Sequence, residues 1–242
     1  MIVGLLHPGE MGASVGRALQ ANGHDVVWAS EGRSDETRKR ARSFRDVGTV
    51  AGVCSEAELI LSICPPHAAL ELAREVAGFN GTYVDANAIS PMRADEASEF
   101  QSHFVDGGIV GGPPDEPGTT RLYLSGEGAA DVAALFEGSN LEPVVVGDAS
   151  AVKMAYAAWS KGTAALLLSI REVARHFGVE DELVAEWTRS VPELVGRLAR
   201  AERSAAAKGW RWVGEMEEIA ATFAAAGQPE GFHRAAAEVY RP

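Results

Sequence analysis

Strand signals run along the chain as far as Val146 and then stop. Up to that point short apolar runs alternate with amphipathic stretches, the pattern of a parallel sheet covered by helices. Beyond Gly147 the sequence is alanine-rich and reads as helix throughout. The 242 residues therefore divide into an α/β doubly wound domain over 1–148 and an all-α domain over 149–242. Strands are expected at Ile2 to Leu6, Asp25 to Ala29, Leu59 to Cys64, Thr82 to Asp85, His103 to Asp106, Leu122 to Ser125 and Pro143 to Val146. In the helical part, positions 152, 156, 159, 163, 166, 170, 173 and 177 form one stripe on a single long helix. At 1.5 Å per residue it spans roughly 40 Å, too long for a small domain to hide, so a homodimer through the C-terminal helices is expected. Later helices are expected at about 180–206, 209–226 and 231–240.

The first strand runs into Gly9-Glu10-Met11-Gly12 and directly into a helix. Glycines at such a turn let backbone N–H groups and the helix N-terminus approach a pyrophosphate, so the α/β domain reads as Rossmann-type. His7 stands where the first glycine of G-x-G-x-x-G belongs. The alternative is a glycine-rich turn with no ligand. At the end of strand two, Ser30 occupies the position where an NAD enzyme carries an acid for the ribose diol. Arg33 and Ser34 follow as donors for a 2′-phosphate, which favours NADP(H). Glu31 is an alternative partner for the ribose and would favour NADH. The alternative is that Arg33, Arg38, Lys39 and Arg40 are the exposed face of a following helix.

Composition narrows the classes. Thirty-four acids against 22 bases give a net charge of −12, which repels nucleic acid and anionic membranes over most of the surface. No segment approaches the roughly 20 apolar residues of a membrane span. The opening MIVGLL lacks a basic region and reads as a strand rather than a signal peptide, so a cytoplasmic location is expected. Cys54 and Cys64 suggest neither a disulfide framework nor a metal site. The expected partner is a small-molecule substrate.

The order of motifs resembles the β-hydroxyacid dehydrogenase and 6-phosphogluconate dehydrogenase superfamily, which includes the imine reductases. Gly9-Glu10-Met11-Gly12 is similar to its G-x-M-G turn, and Leu61 to Pro66 resembles the segment beside the nicotinamide ribose. The resemblance thus implies cofactor roles for Cys64, Pro65 and Pro66. Val84 to Pro91 resembles V-D-x-S-T-I-x-P, with Asn87 and Ala88 replacing Ser and Thr, and adds Asn87 to the cofactor set. Asp106 to Gly112 resembles the substrate loop D-A-P-V-S-G-G, with Val110 for the serine, and implies that Gly111 and Gly112 meet the substrate. Gly147 to Lys153 is similar to G-x-G-x-x-x-K and makes Lys153 the catalytic lysine; Tyr156 and Ala157 replace the family's two asparagines.

The implied activity is NADPH-dependent hydride transfer to or from a small hydroxy or keto acid. An imine reductase is the first alternative, against which the lysine argues. A catalytically inactive nucleotide sensor is the second. Lys153 near a helix N-terminus and shielded from water has its charged form disfavoured, which suits general acid/base work. Lys161, roughly 12 Å further along the helix, is the rival. In the tail, Trp210 and Trp212 offer apolar walls, Arg211 is placed to pair with Glu215, and Tyr156 and His233 are substrate candidates. For His233 the alternative is a helix-start histidine satisfied by backbone or by a neighbouring carboxylate.

Overall fold

The computed structural model describes residues 1–241. The chain forms two compact units, Met1–Lys153 and the residues from Met154 onward. The first holds a sheet of β1 (Ile2–Leu5), β2 (Asp25–Trp28), β3 (Arg45–Asp46), β4 (Leu59–Ser62), β5 (Thr82–Asp85), β6 (Phe104–Val110), β7 (Thr120–Ser125) and β8 (Leu141–Val145). Helices α1 (Glu10–Ala21), α2 (Asp35–Arg40), α3 (Val50–Glu56), α4 (Pro66–Glu75), α5 (Pro91–Ser98) and α6 (Ala129–Ala134) connect them.

Strand order is β3-β2-β1-β4-β5-β6-β7-β8, so chain direction across the sheet reverses at β1. The crevice beyond the carboxyl ends of β1 and β4 is the switch point at which such sheets bind ligands. Both faces are covered. Val3, Leu5, Leu61, Val84 and Val105 pack under Val15 and Leu19 on one side, while Leu6, Ile60 and Tyr83 meet Leu72, Val76 and Phe79 on the other. Burial on two faces is why these strands read as unbroken apolar runs.

The sheet is parallel but for one pair, β6 and β7, which run antiparallel from Asp106↔Ser125 to Val110↔Arg121. Two details depart from expectation. Asp106 to Val110, expected as loop after a short strand, belongs to β6, its glycines serving close packing rather than a turn. The two-residue edge strand β3 gave no apolar signal, since both of its residues are exposed.

The second unit begins within α7 (Ala149–His176) and continues through α8 (Glu180–Ser190), α9 (Glu193–Ala225) and α10 (Gly231–Tyr240). Leu167, Trp187 and Leu198 form its buried cluster with Leu183, Val191 and Leu194 around them. The break expected near residue 207 lies at Val191-Pro192 instead. Proline drives the residue before it out of the helical region, and Val191 sits at φ −147°. Gly209 continues the helix and is buried, packed near the Tyr240 ring.

Candidate active site

The site is built on the carboxyl edge of the first unit's sheet. After β1 the backbone folds through His7 and Pro8 so that Gly9 N–H donates to the His7 carbonyl at 2.8 Å, and α1 starts at once. Gly12 is required there: a Cβ would stand 2.3 Å from the His7 carbonyl oxygen. A Cβ on Gly9 would meet nothing within 4 Å, and Gly9 as N-cap supplies no side-chain acceptor. That open cradle at a helix N-terminus fits a pyrophosphate. Glu10 is exposed, and Met11 packs against the core beneath.

At the end of β2, Arg33 turns back toward this loop, its Nη1 2.6 Å from His7 Nε2. His7 is held down to about 4 by burial and then by the Arg33 charge, so the ring is neutral near pH 7. Two polar atoms here, His7 Nδ1 and Arg33 Nε, are buried with no protein partner. Ser34 is the N-cap of α2, its Oγ accepting from Thr37 N–H at 3.3 Å, so the expected phosphate donor has a structural task. The acid expected to be missing at Ser30 is supplied by the fold. Asp46 of β3 bonds the Ser30 hydroxyl, which chiefly holds its carboxyl below the usual range. Glu31 is exposed, and Arg38 Nη2 donates to the Ser30 carbonyl at 2.8 Å. The end of β2 thus gathers two cations, Arg33 and Arg38, and two carboxylates, Asp46 and Glu31. Asp46, 16 residues from Ser30 in sequence, could be found only through the β2–β3 pairing.

Two strands along, Asn87 braces the ends of β4 and β5. Its Oδ1 accepts from Cys64 N–H at 2.5 Å, its Nδ2 donates to Ser62 Oγ at 3.1 Å, and its own N–H donates to Asp85 Oδ1 at 2.9 Å. The amide expected to contact the cofactor is bonded to the protein, and it positions the loop of Cys64 and Pro65 that enters α4 at Pro66. Burial, with the Asp85 charge, pushes the Cys64 thiol up to about 12, so it is no nucleophile.

Asp85 itself is completely buried and its carboxyl is raised by desolvation to about 7. The folded chain therefore keeps a proton that the unfolded chain releases near 3.8, and this group's contribution to stability falls as pH rises from about 4 to about 7. Asp85→Asn retains an acceptor for Asn87 N–H and removes the charge. It is expected to raise Tm at pH 8, by about 2–4 kcal/mol of stability, with the gain shrinking toward pH 4. Thermal melts at the two pH values check this, and an equal shift at both would contradict it.

The two glycine-containing motifs meet at β6. Asp106 Oδ2 accepts from Ser150 N–H at 2.8 Å and Ser125 Oγ at 3.0 Å, while Oδ1 accepts from Ser150 Oγ at 2.6 Å. Burial raises the Asp106 carboxyl against the opposing pull of these bonds. Ser125 Oγ accepts from Ala149 N–H at 2.9 Å, and Asp148 Oδ1 caps Ala151 N–H at 2.7 Å. Side chains thus satisfy three of the first N–H groups of α7 and fix its start. Lys153 stands one turn in, with Nζ 2.6 Å from the Ile109 carbonyl oxygen. Gly108 allows that approach, since a Cβ would lie 2.7 Å from Lys153 Cβ and 2.9 Å from the Ala149 carbonyl oxygen. Gly111 follows at φ +122°, and Gly112 is open to solvent, its carbonyl accepting from Thr120 Oγ1 at 2.6 Å.

Tyr156 and His233 belong to the second unit. Tyr156 is half-exposed and lines a groove of about 770 Å³ with Trp159, Trp187, Arg197 and Trp212. His233 is buried edge-on against Phe223 at 4.2 Å, burial lowers its pKa, and its Nδ1 is buried without a hydrogen-bond partner among the described residues, so the ring is not satisfied by its own backbone. Glu215 pairs with Lys161 at 2.6 Å instead of with Arg211, which stacks on Trp210. Trp212 packs edge-on against Tyr240. Among the described residues no cluster of three or more potential metal ligands occurs, and no helix is long and apolar enough to cross a membrane.

Residues 2–88 match the family model described as NADP oxidoreductase, coenzyme F420-dependent, and residues 174–242 match a domain of unknown function, DUF1932. An uncharacterised 28.5 kDa protein from the 7S RNA 5′ region of Methanothermus fervidus is 27% identical over 192 residues, 76% of this chain and 75% of the relative. A conserved protein of unknown function, described as structurally similar to 3-hydroxyacid dehydrogenases, superposes with a TM-score of 0.72 at 26% identity, covering 99% of this chain and 96% of that one. Mycobacterium tuberculosis 3-hydroxyisobutyrate dehydrogenase with L-serine gives 0.71 at 16% identity, covering 99% and 92%. Residues 2–88 are thus similar to the NADP oxidoreductases and residues 174–242 to the DUF1932 domain, and the chain has the fold of the hydroxyacid dehydrogenases.

Proposed function

We propose that the protein is an NADPH-dependent oxidoreductase that interconverts a small polar hydroxy acid and its keto form, with Lys153 as general acid/base. The observation that carries this is Lys153 Nζ, held 2.6 Å from the Ile109 carbonyl on β6, the strand next to the one whose end Asn87 braces. When bound, the nicotinamide supplies or accepts a hydride at the substrate carbon. Lys153 gives a proton to the carbonyl oxygen in reduction and takes the hydroxyl proton in oxidation, so the C=O and CH–OH forms differ by one hydride and one proton. Of the ammonium's three donors the Ile109 carbonyl takes one, which orients the group. Asp106, through Ser150, holds the helix that carries it. Gly111 and Gly112 are exposed, and a Cβ on Gly112 would meet nothing within 4 Å, which suits contact with a polar substrate. Because the oxidoreductase match ends at residue 88, it supports the nucleotide and leaves the second substrate to Lys153 and its surroundings. A screen of hydroxy acids, keto acids and cyclic imines with NADP(H), followed by nicotinamide absorbance, tests the reading. Turnover of a hydroxy or keto acid supports it, turnover of imines alone favours the imine reductase, and binding without turnover the sensor.

NADPH is the preferred cofactor in this reading. Arg33→Ala is expected to cost about 1.5–3 kcal/mol of NADPH binding, the worth of a charged hydrogen bond, with NADH little changed. Equal losses for both cofactors, or a wild-type preference for NADH, reject that assignment.

The active form is proposed to be a cytoplasmic homodimer. Cys54 and Cys64 are both free thiols, which suits a reducing compartment. On α7, Trp159, Leu166 and Val173 are 55–59% exposed, Phe177 just beyond its end is 71% exposed, and Phe232 of α10 is 76% exposed. An apolar stripe of this extent is covered in a stable soluble protein, and a second copy presents the same stripe about a two-fold axis. Light scattering at micromolar concentration should give twice the chain mass and Val173→Glu a monomer; a fully active wild-type monomer would refute this.

A further inference from the structure

His7 stands where the dinucleotide fold has a glycine, and the structure gives that departure a use. The Arg33 guanidinium is half-buried, and among the described residues no carboxylate pairs with it. Other arginines of the chain, such as Arg45, Arg171 and Arg175, do have acidic partners. The contact to Arg33 is instead His7 Nε2, at 2.6 Å. A guanidinium can only donate, so Nε2 must be the acceptor and the imidazole is neutral with its proton on Nδ1. That bond satisfies one donor but offsets none of the positive charge. A fixed, partly desolvated cation without a counter-ion, beside an open helix N-terminus, is a site prepared for an anion. Arg33 Nε is also buried without a protein partner, a second donor of the same group left unsatisfied.

We propose that His7 is a positioning residue that sets the preference for a 2′-phosphorylated dinucleotide by holding the Arg33 guanidinium in place before the phosphate arrives. The inference rests on the nucleotide reading given under Proposed function. A free arginine side chain must give up most of its rotamer freedom to grip a phosphate, and the bond to His7 removes that cost in advance. The ligand chemistry is a phosphate oxygen, which the dinucleotide offers both at its pyrophosphate and at the 2′-monoester. Arg33 leaves the end of β2, where the ribose lies in this fold, and so the monoester is assigned.

The test is a set of fluorescence titrations with NADPH and with NADH on the full chain as wild type, His7→Ala, His7→Gln, Arg33→Ala and the double variant, each checked by melting. His7→Ala should weaken NADPH by roughly tenfold, the worth of one preorganised bond, and leave NADH within about twofold. His7→Gln, whose amide oxygen can accept the same bond, should recover most of the loss, and the double variant should bind NADPH no worse than Arg33→Ala. Equal loss of both cofactors would show that His7 acts on the pyrophosphate loop, and would overturn the proposal. A glutamine no better than alanine, or additive effects in the double variant, would also overturn it while leaving the nucleotide site intact. A folded wild type that binds neither cofactor would instead remove the nucleotide reading, and this inference with it.

Discussion

Lys153→Ala should lower kcat by roughly 10² or more on whichever substrate the screen identifies, with NADPH affinity nearly unchanged. The expectation follows from where the side chain is tied. Its ammonium bonds the Ile109 carbonyl on β6, whereas the glycine loop and Arg33 serve β1 and β2 on the other side of β4 and β5. Loss of the lysine therefore removes the proposed proton donor without touching the proposed phosphate contacts. Lys153→Arg keeps the charge but cannot release a proton near neutral pH, so it should be almost as inactive as the alanine variant. Lys161→Ala gives the contrast. Lys161 is ion-paired with Glu215, each side chain being 15% exposed, so its removal should lower Tm and leave kcat of the folded protein largely intact. Near-normal turnover in Lys153→Ala, or a larger kcat loss from Lys161→Ala, would move the proton donor elsewhere and reopen the imine reductase reading.

The second large effect is expected from a single methyl group. Gly108→Ala places a Cβ 2.7 Å from Lys153 Cβ and 2.9 Å from the Ala149 carbonyl oxygen, and neither neighbour is a flexible side-chain end that can swing aside. The first turn of α7 must shift off β6, against the bonds that Asp106 and Ser125 make to Ser150 and Ala149. Overpacking of this kind costs about 1–3 kcal/mol. The catalytic loss should exceed the stability loss, because a displacement of about 1 Å at a reacting group can reduce the rate by roughly 10². Gly112→Ala is the control for stability, since a Cβ there meets nothing within 4 Å. Melting and kcat measured together decide the matter: unchanged turnover in Gly108→Ala would mean that Lys153 need not sit against β6.

What could be read from the sequence divides along physical lines. The β1–loop–α1 unit was legible because its strand, glycines and helix are contiguous, and the start of α7 was legible through the motif that ends at Lys153. The bond from Asp106 to Ser150 spans 44 residues, and neither motif announces the other; only the sheet brings them together. Asp46 returns a carboxylate to Ser30 through a strand with no apolar residue to reveal it. Asn87 matches a cofactor motif by position, yet its amide is bonded to Cys64 and Ser62, a difference that depends on side-chain geometry rather than residue type. In the helical part the break expected near residue 207 lies at Pro192, which stops a helix whatever its periodicity, while Gly209 is carried inside α9. Arg211 and Glu215 have helical pairing distance, but Glu215 pairs with the cation from α7, Lys161.

Everything proposed for Lys153 requires a nicotinamide dinucleotide along the carboxyl edge that begins at Gly9 and Arg33. Calorimetric titration of the full chain with NADPH and with NADH tests that requirement before any substrate is known. One NADPH per chain, bound more tightly than NADH, is the predicted result; a folded protein that shows no binding of either dinucleotide would contradict it.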